Sequence, residues 1–287
     1  MEISPFKRLG PLYYWLTGNT LRLFGNDTIA CFFVALCLFL FSLSAISSGQ
    51  ITNEKRTKKN EVLILTYNVR NCHGLDDSTN YQRVADIIIR INPQIVAIQE
   101  LDSATLRSNG MVALNELAVR TGMYSVYGPT INYLGGKYGN GVLCKEKPVS
   151  WKSVPLPGRE EKRSVLIVEF EDYIFCCTHF SLNAEDRLKS AEIINDLFQE
   201  TSKHVFLAGD LNSLPDSDPV KNLEKKWLML NNSVNYTIPS DYPRRCIDYI
   251  FALKNTNHLY KVEKTMVEKE PLASDHLPVW ALVNIKK

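Results

Sequence analysis

Eight residues of this 287-residue chain are of the types that bind hard cations and move protons, and each closes, carries or follows an apolar run. Asn68 ends "LILTYN", Glu100 ends "IVAIQE" and His179 ends "FCCTH". Asp210 and Asn212 follow the turn in "FLAGDLN", Asp248 sits in "CIDYIF", and Asp275 and His276 are neighbours in "LASDHLPV". A buried carboxylate is costly unless it is paired or meets a cation. Six such segments therefore point to one shared site rather than to six separate penalties. Carboxylate and amide oxygens suit Mg2+ or Mn2+, and two imidazoles remain for proton transfer. Singly, each residue has an ordinary use: Asn68 and Asn212 in turns, Glu100 as a loop acid, His179 in the core, Asp248 and His276 as a structural pair, Asp275 as a cap.

The elements that must position these residues alternate β-rich runs with amphipathic segments. "EVLILTYN" (61–68) and "QIVAIQE" (94–100) read as buried strands. Between them, Val84, Ile87, Ile88 and Ile91 recur at helical spacing until Pro93. The pattern predicts a helix over 110–122, strands over 124–130, 139–144 and 149–154, and a hairpin of 164–170 with 173–179. Asn183 can cap a helix that runs to about Gln199. Three last strands, 205–209, 247–251 and 278–285, close the chain. Many strands with few helices suggest an α/β sandwich of two sheets with helices outside, and no internal repeat is visible.

"TYN", "QE", "TH", "GDLN", "IDYI" and "SDHLPV", in this order, resemble the endonuclease/exonuclease/phosphatase superfamily of deoxyribonuclease I-like, metal-dependent phosphoesterases, over essentially 61–287. The resemblance implies a four-layer αββα sandwich that hydrolyses phosphate esters with Mg2+ or Mn2+. It implies that Glu100 binds the metal with help from Asn68, with Asp275 in or beside the same shell. His276 resembles the base that activates water, oriented by Asp248. Asp210 and Asn212 would hold the attacked phosphate and the water, and either Asp210 or His276 takes the proton. His179 matches a histidine that stabilises the transition state or protonates the leaving group. Two further substrate contacts are open: Arg187 as a phosphate clamp or a solvated helix residue, and Tyr138 in the Gly-rich "GGKYGNGVL" (135–143) as a substrate contact or part of a plain hairpin loop.

Seven Lys/Arg and three Asp/Glu of the totals of 33 and 31 lie in 1–59, leaving 26 basic and 28 acidic residues for 60–287. That net charge of −2 lacks the basic excess of a dedicated nucleic-acid binder. Histidine at 179, where DNA-repair relatives carry tyrosine, also ranks abasic-site repair low. The expected partner is a phosphate-ester substrate: a lipid headgroup, a nucleotide or a nucleic acid. Two alternatives stay open, a non-specific nuclease on DNA or RNA and a catalytically silent, membrane-tethered binding protein. No protein partner can be inferred. The seven cysteines show no metal spacing and read as small buried hydrophobes.

Ile29 to Ile46 is an uncharged run of near-bilayer length. Behind a 28-residue N-terminal segment it reads as a transmembrane or signal-anchor helix, with 47–60 as linker and 61–287 as the catalytic domain. A bacterial membrane-anchored protein with an extracytoplasmic domain is expected, or alternatively one exported after signal cleavage.

Overall fold

The computed structural model describes residues 60–199, 201–254 and 259–286. The segments 1–28 and 29–46 and nearly all of the 47–60 linker lie outside the described residues. Among the described residues, no helix is long and apolar enough to cross a membrane.

The described chain runs β1 (Glu61–Asn68), α1 (Tyr81–Ile91), β2 (Ile95–Ser103), α2 (Ala113–Thr121), β3 (Tyr124–Tyr133), β4 (Gly136–Cys144), β5 (Ser150–Leu156) and β6 (Arg163–Glu169). It continues with β7 (Tyr173–His179), α3 (Ala184–Asp196), β8 (His204–Asp210), α4 (Asp218–Glu224), β9 (Trp227–Met229), β10 (Asp248–Leu253), β11 (Leu259–Val267) and β12 (Val279–Lys286). Two six-stranded sheets form, ordered β11-β12-β1-β2-β4-β3 and β5-β6-β7-β8-β10-β9. In each, one parallel pair, β1 with β2 and β7 with β8, sits among antiparallel neighbours. A helix spans each parallel connection, α1 in the first sheet and α3 in the second, because parallel strands need a long crossover.

Three apolar layers follow from the two-residue period of the strands. Ile64, Ala97, Phe175, Cys177, Phe206, Ala208 and Ile250 point between the sheets. Leu65, Tyr67, Val96 and Ile98 point outward onto Val84, Ile87 and Ile88 of α1 and Leu114 and Leu117 of α2. Cys176, Val205, Leu207 and Phe251 point outward on the second sheet, onto Ala191 and Ile194 of α3 and Val220 and Leu223 of α4. The result is a four-layer αββα sandwich. Each buried Val or Ile of α1 contributes about 1.5–3 kcal/mol, so packing rather than propensity holds that helix. Its ends carry the expected signals: the Asn80 side chain accepts from the Arg83 N–H, and Asn92 closes it in a left-handed conformation.

Three elements escaped the sequence reading. β11 is an edge strand whose side chains are mostly exposed or half-buried, β9 has three residues, and α4 has seven. β9 and α4 are too short to stand out, and β11, though nine residues long, has no buried apolar face. Adjacent Cys176 and Cys177 face different layers, as strand geometry requires, and all five described cysteines are buried free thiols.

Candidate active site

The same period that builds the inter-sheet core places polar side chains at its end. Asn68 continues the inward series of Ile64 and Thr66, His179 that of Phe175 and Cys177, and Asp210 that of Phe206 and Ala208. In register, His179 lies beside Asp210, and Asp210 lies opposite Asp248. Gly209 makes this possible, because a Cβ there would stand 2.0 Å from the Thr178 carbonyl oxygen of β7. Glu100 reaches the site differently. The β2–β4 register shifts between Ile98 and Leu101, and Glu100 sits in that bulge with a left-handed φ of 61°. Such a conformation is strained for a residue with a side chain, and here it turns a carboxylate toward Asn68.

The contacts form one connected group. Asn68 Nδ2 donates to Glu100 Oε1 at 2.9 Å and to Asp210 Oδ2 at 3.2 Å. Asp210 Oδ2 is 3.4 Å from His179 Nε2 and 3.6 Å from His276 Nε2. His276 Nδ1 faces Asp248 Oδ2 at 3.0 Å, and that oxygen also accepts from Thr237 Oγ1 at 2.5 Å. The Asn212 N–H donates to Asp210 Oδ1 at 2.8 Å, while its side-chain amide donates to the Phe180 carbonyl. Asn68, His179, Asp210, Asp248 and His276 are all buried. Asp275 is half-buried and joins indirectly: its carboxylate meets Ser274 Oγ at 3.3 Å, and that hydroxyl donates to the Asn68 carbonyl at 2.7 Å.

Burial pushes the Asp210 carboxyl up to about 7, against the pull of His276. Burial would lower His276, but Asp248 and Asp210 outweigh it and raise the imidazole to about 10. His179 goes the other way, held well below its ordinary value by burial first and then by the charge of Arg163. Arg163 Nη1 lies 3.2 Å from His179 Nδ1. A guanidinium only donates, so Nδ1 is the acceptor and the single ring proton sits on Nε2, facing Asp210.

The donor set fits a hard divalent cation. Asp210, Asp248 and His276 offer ligand atoms all within 4.8 Å of one another, with Glu100 and Asn68 in the same hydrogen-bonded group.

A model of the Endonuclease/Exonuclease/phosphatase family matches residues 65–276. The chain belongs to this family. Its members are divalent-metal-dependent hydrolases of phosphoester bonds, and this chain is such an enzyme. Solved structures agree on the fold of this endonuclease/exonuclease/phosphatase domain. An endonuclease/exonuclease/phosphatase from Beutenbergia cavernae superposes with a TM-score of 0.68 at 21% identity, covering 79% of this chain and 72% of its own. A mannosyl-6-phosphatase from Bacteroides thetaiotaomicron gives 0.62 at 16% identity, covering 79% of this chain and 100% of its own. The human Nocturnin catalytic domain with bound sulfate gives 0.62 at 15% identity, covering 80% of this chain and 96% of its own. No curated protein matches the chain in sequence.

Two of the residues predicted from the sequence make no hydrogen bond to the group among the described residues. Arg187 Nη1 donates to the Leu182 carbonyl at 2.6 Å and to the Ser181 carbonyl at 3.4 Å, so its guanidinium closes the loop after His179. Tyr138 packs with Tyr133 and Arg107, and burial first, then Glu100 and Glu161, push its hydroxyl pKa up. Arg163, Thr237 and Ser274 were not anticipated. Each acts on a partner distant in sequence, and only the sixteen-residue hairpin separation of Arg163 from His179 offered any signal.

Proposed function

We propose that the chain is a phosphodiesterase that uses water activated by the Asp210–His276–Asp248 group. One observation carries this reading: a buried run from Asp248 through His276 and Asp210 to His179, abutting the Asn68–Glu100 pair. In this reading Glu100 and Asn68 hold Mg2+ or Mn2+, with Asp275 beside them. The bound cation neutralises phosphate charge. Asp248 fixes His276 with Nδ1 inward, leaving Nε2 toward Asp210, and the Asp210–His276 pair accepts the proton of the attacking water. Asp210 is poised for this, since its carboxyl is raised to about 7. The Asn212 backbone N–H keeps that carboxylate in place.

His179 acts as a neutral hydrogen-bond donor to the phosphoryl oxygens. Its Nδ1 is occupied by Arg163, so it holds one proton, on the nitrogen that faces the site. Such a preorganised donor stabilises developing charge without moving a proton.

A nuclease is the second reading, supported by exposed Tyr236 and Tyr242 on the loop that leads into Asp248, where bases could stack. The run 29–46 anchors the domain on the extracytoplasmic face of a membrane. A reporter fused after Lys287 tests that topology. For the chemistry, bis(p-nitrophenyl) phosphate is the probe: hydrolysis requires Mg2+ or Mn2+ and is abolished by a chelator. Equal activity in wild type and His276→Ala removes this reading.

A further inference from the structure

The arginines of the described chain divide into two groups. Arg83, Arg90, Arg107, Arg120, Arg159 and Arg163 each pair with a carboxylate. Arg70, Arg187, Arg244 and Arg245 have no carboxylate partner among the described residues. Three lie on turns or loops that carry or adjoin the site, Arg70 two residues after Asn68 and Arg244 and Arg245 just before Asp248, and Arg187 lies in the first turn of α3 beside the His179 loop. Unneutralised guanidinium groups gathered around an acidic centre select for an anion larger than the centre itself needs.

Arg244 and Arg245 are also built into a cavity. With Ile238, Pro239 and Asp275 they line a cleft of about 420 Å³. Its walls are rigid, because the segment 237–245 is a closed hairpin. The Thr237 and Ile238 N–H groups donate to the Arg245 carbonyl at 2.7 and 3.1 Å, and the Arg244 and Arg245 N–H groups donate to the Ile238 carbonyl at 2.9 and 3.0 Å. The hairpin is fastened to both catalytic loops. Thr237 Oγ1 donates to Asp248, the Leu277 N–H donates to the Thr237 carbonyl at 2.8 Å, and the Ser240 N–H donates to the Asp275 carbonyl at 2.8 Å. The Arg244 guanidinium lies 5.1 Å over the Tyr242 ring, a cation–π contact. Asp275 belongs to the cleft on one side, and through Ser274 to Asn68 on the other, so it is the common wall of cleft and centre.

We infer that this cleft is a subsite for a second phosphate group of the substrate, held by Arg244 and Arg245 while the scissile phosphate lies at the Asn68–Glu100–Asp210 centre. Guanidinium forks match phosphate oxygens bidentately, and a single phosphodiester occupying the centre leaves this pair unused. The substrate class is then a phosphodiester bearing a second phosphate, as between adjacent nucleotides, and nucleoside and sugar bisphosphates are its two-phosphate ligand analogues. This inference deepens the phosphoesterase reading and rests on it for the position of the scissile phosphate.

The test compares adenosine 5′-monophosphate with adenosine 3′,5′-bisphosphate on the full-length chain. Binding is followed by calorimetry and by inhibition of bis(p-nitrophenyl) phosphate hydrolysis. Fructose 6-phosphate against fructose 1,6-bisphosphate forms a second arm that separates nucleoside from sugar carriers. The wild type should bind at least one bisphosphate about tenfold or more tightly than its monophosphate, the size of one charge-assisted bond. In Arg244→Gln/Arg245→Gln that advantage should fall to about twofold or less, and Arg244→Lys/Arg245→Lys should keep part of it. Both side chains are exposed, and an unchanged melting temperature confirms the variants' fold. No preference for either bisphosphate in wild type, or a preference kept by the double glutamine variant, overturns the subsite. Absence of metal-dependent hydrolysis overturns the phosphoesterase reading instead, and the calorimetric arm still decides the subsite.

Discussion

The two sheets are built to one plan and finished to different ends. In sheet order, β12-β1-β2-β4-β3 matches β6-β7-β8-β10-β9, with the same parallel pair, the same crossover helix and the same outer hairpin. Asn68 ends β1 where His179 ends β7, and their register partners are Gln99 and Asp210. The first sheet thus presents amides at those two positions and delivers its carboxylate, Glu100, through a bulge. The second presents an imidazole and a carboxylate in plain register, and adds Asp248 from the neighbouring strand. In the proposed reading the first sheet supplies Asn68 and Glu100 to hold the cation and, from the loop that enters β12, His276, while the second supplies His179, Asp210 and Asp248. Duplicated topology has been used to bring two kinds of chemistry to one edge.

This division can be broken from the proton side first. His276→Gln and Asp210→Asn should each lower kcat/KM for bis(p-nitrophenyl) phosphate by about 10²–10⁴-fold, the range of a positioned acid–base group. The double variant should be little worse than either single one, because the residues act as a unit. Additive losses would separate Asp210 from His276. Next, His179→Ala should cost about 10²–10³-fold, as removal of one preorganised donor does. Across aryl phosphodiesters of differing leaving-group pKa that loss should be constant. A loss growing with leaving-group pKa would make His179 a general acid and remove the role given to Arg163.

The ligand side should respond in metal dependence. Glu100→Gln should raise the Mg2+ concentration for half-maximal activity by at least the roughly 10–100-fold that loss of an outer-shell partner costs. Asn140, on β4 beside the bulge, is buried but outside the group, and Asn140→Ala should leave that concentration within about twofold of wild type. A Glu100→Gln effect on turnover alone, at saturating metal, would move Glu100 from the ligands to the proton-transfer groups.

What the sequence made legible follows the same line. Strand ends are local signals: an apolar run closing in Asn68, Glu100, His179 or Asp210 can be seen without the fold, and so can the Asn183 side chain that caps α3 at Glu185 and Asp186. Their orienting partners are not local. Ser274 meets Asn68 across 206 residues, Thr237 meets Asp248 from a loop, and Arg163, just before the expected 164–170 strand, meets His179 only because β6 and β7 pair. Likewise, nothing near Arg187 announces that loop carbonyls would take its guanidinium. The topological repeat was invisible because the two halves share connections rather than residues.

The smallest effect is thermodynamic and belongs to the metal-free protein. Asp210 is raised from about 3.9 to about 7 and His276 from about 6.5 to about 10, so the folded state holds more protons than the unfolded chain. Stability then falls as pH rises through each window, roughly pH 4 to 7 for Asp210 and 6.5 to 10 for His276. Because the two groups share one environment, the whole effect is on the order of 2 kcal/mol rather than the sum of two shifts. Melting temperatures measured in chelator from pH 6.5 to 8.5 should decline in wild type and be flatter in His276→Gln, which removes the upper window. Buried thiols such as Cys246, pushed up to about 12, begin to ionise in the unfolded chain at the top of this range and add the same downward slope to wild type and variant. Added Mg2+ should raise wild-type melting most at the upper pH, since a cation replaces the proton the cluster would otherwise keep. Parallel slopes in wild type and His276→Gln would place the stabilising proton elsewhere and weaken the assignment of His276 to the proton-exchanging group.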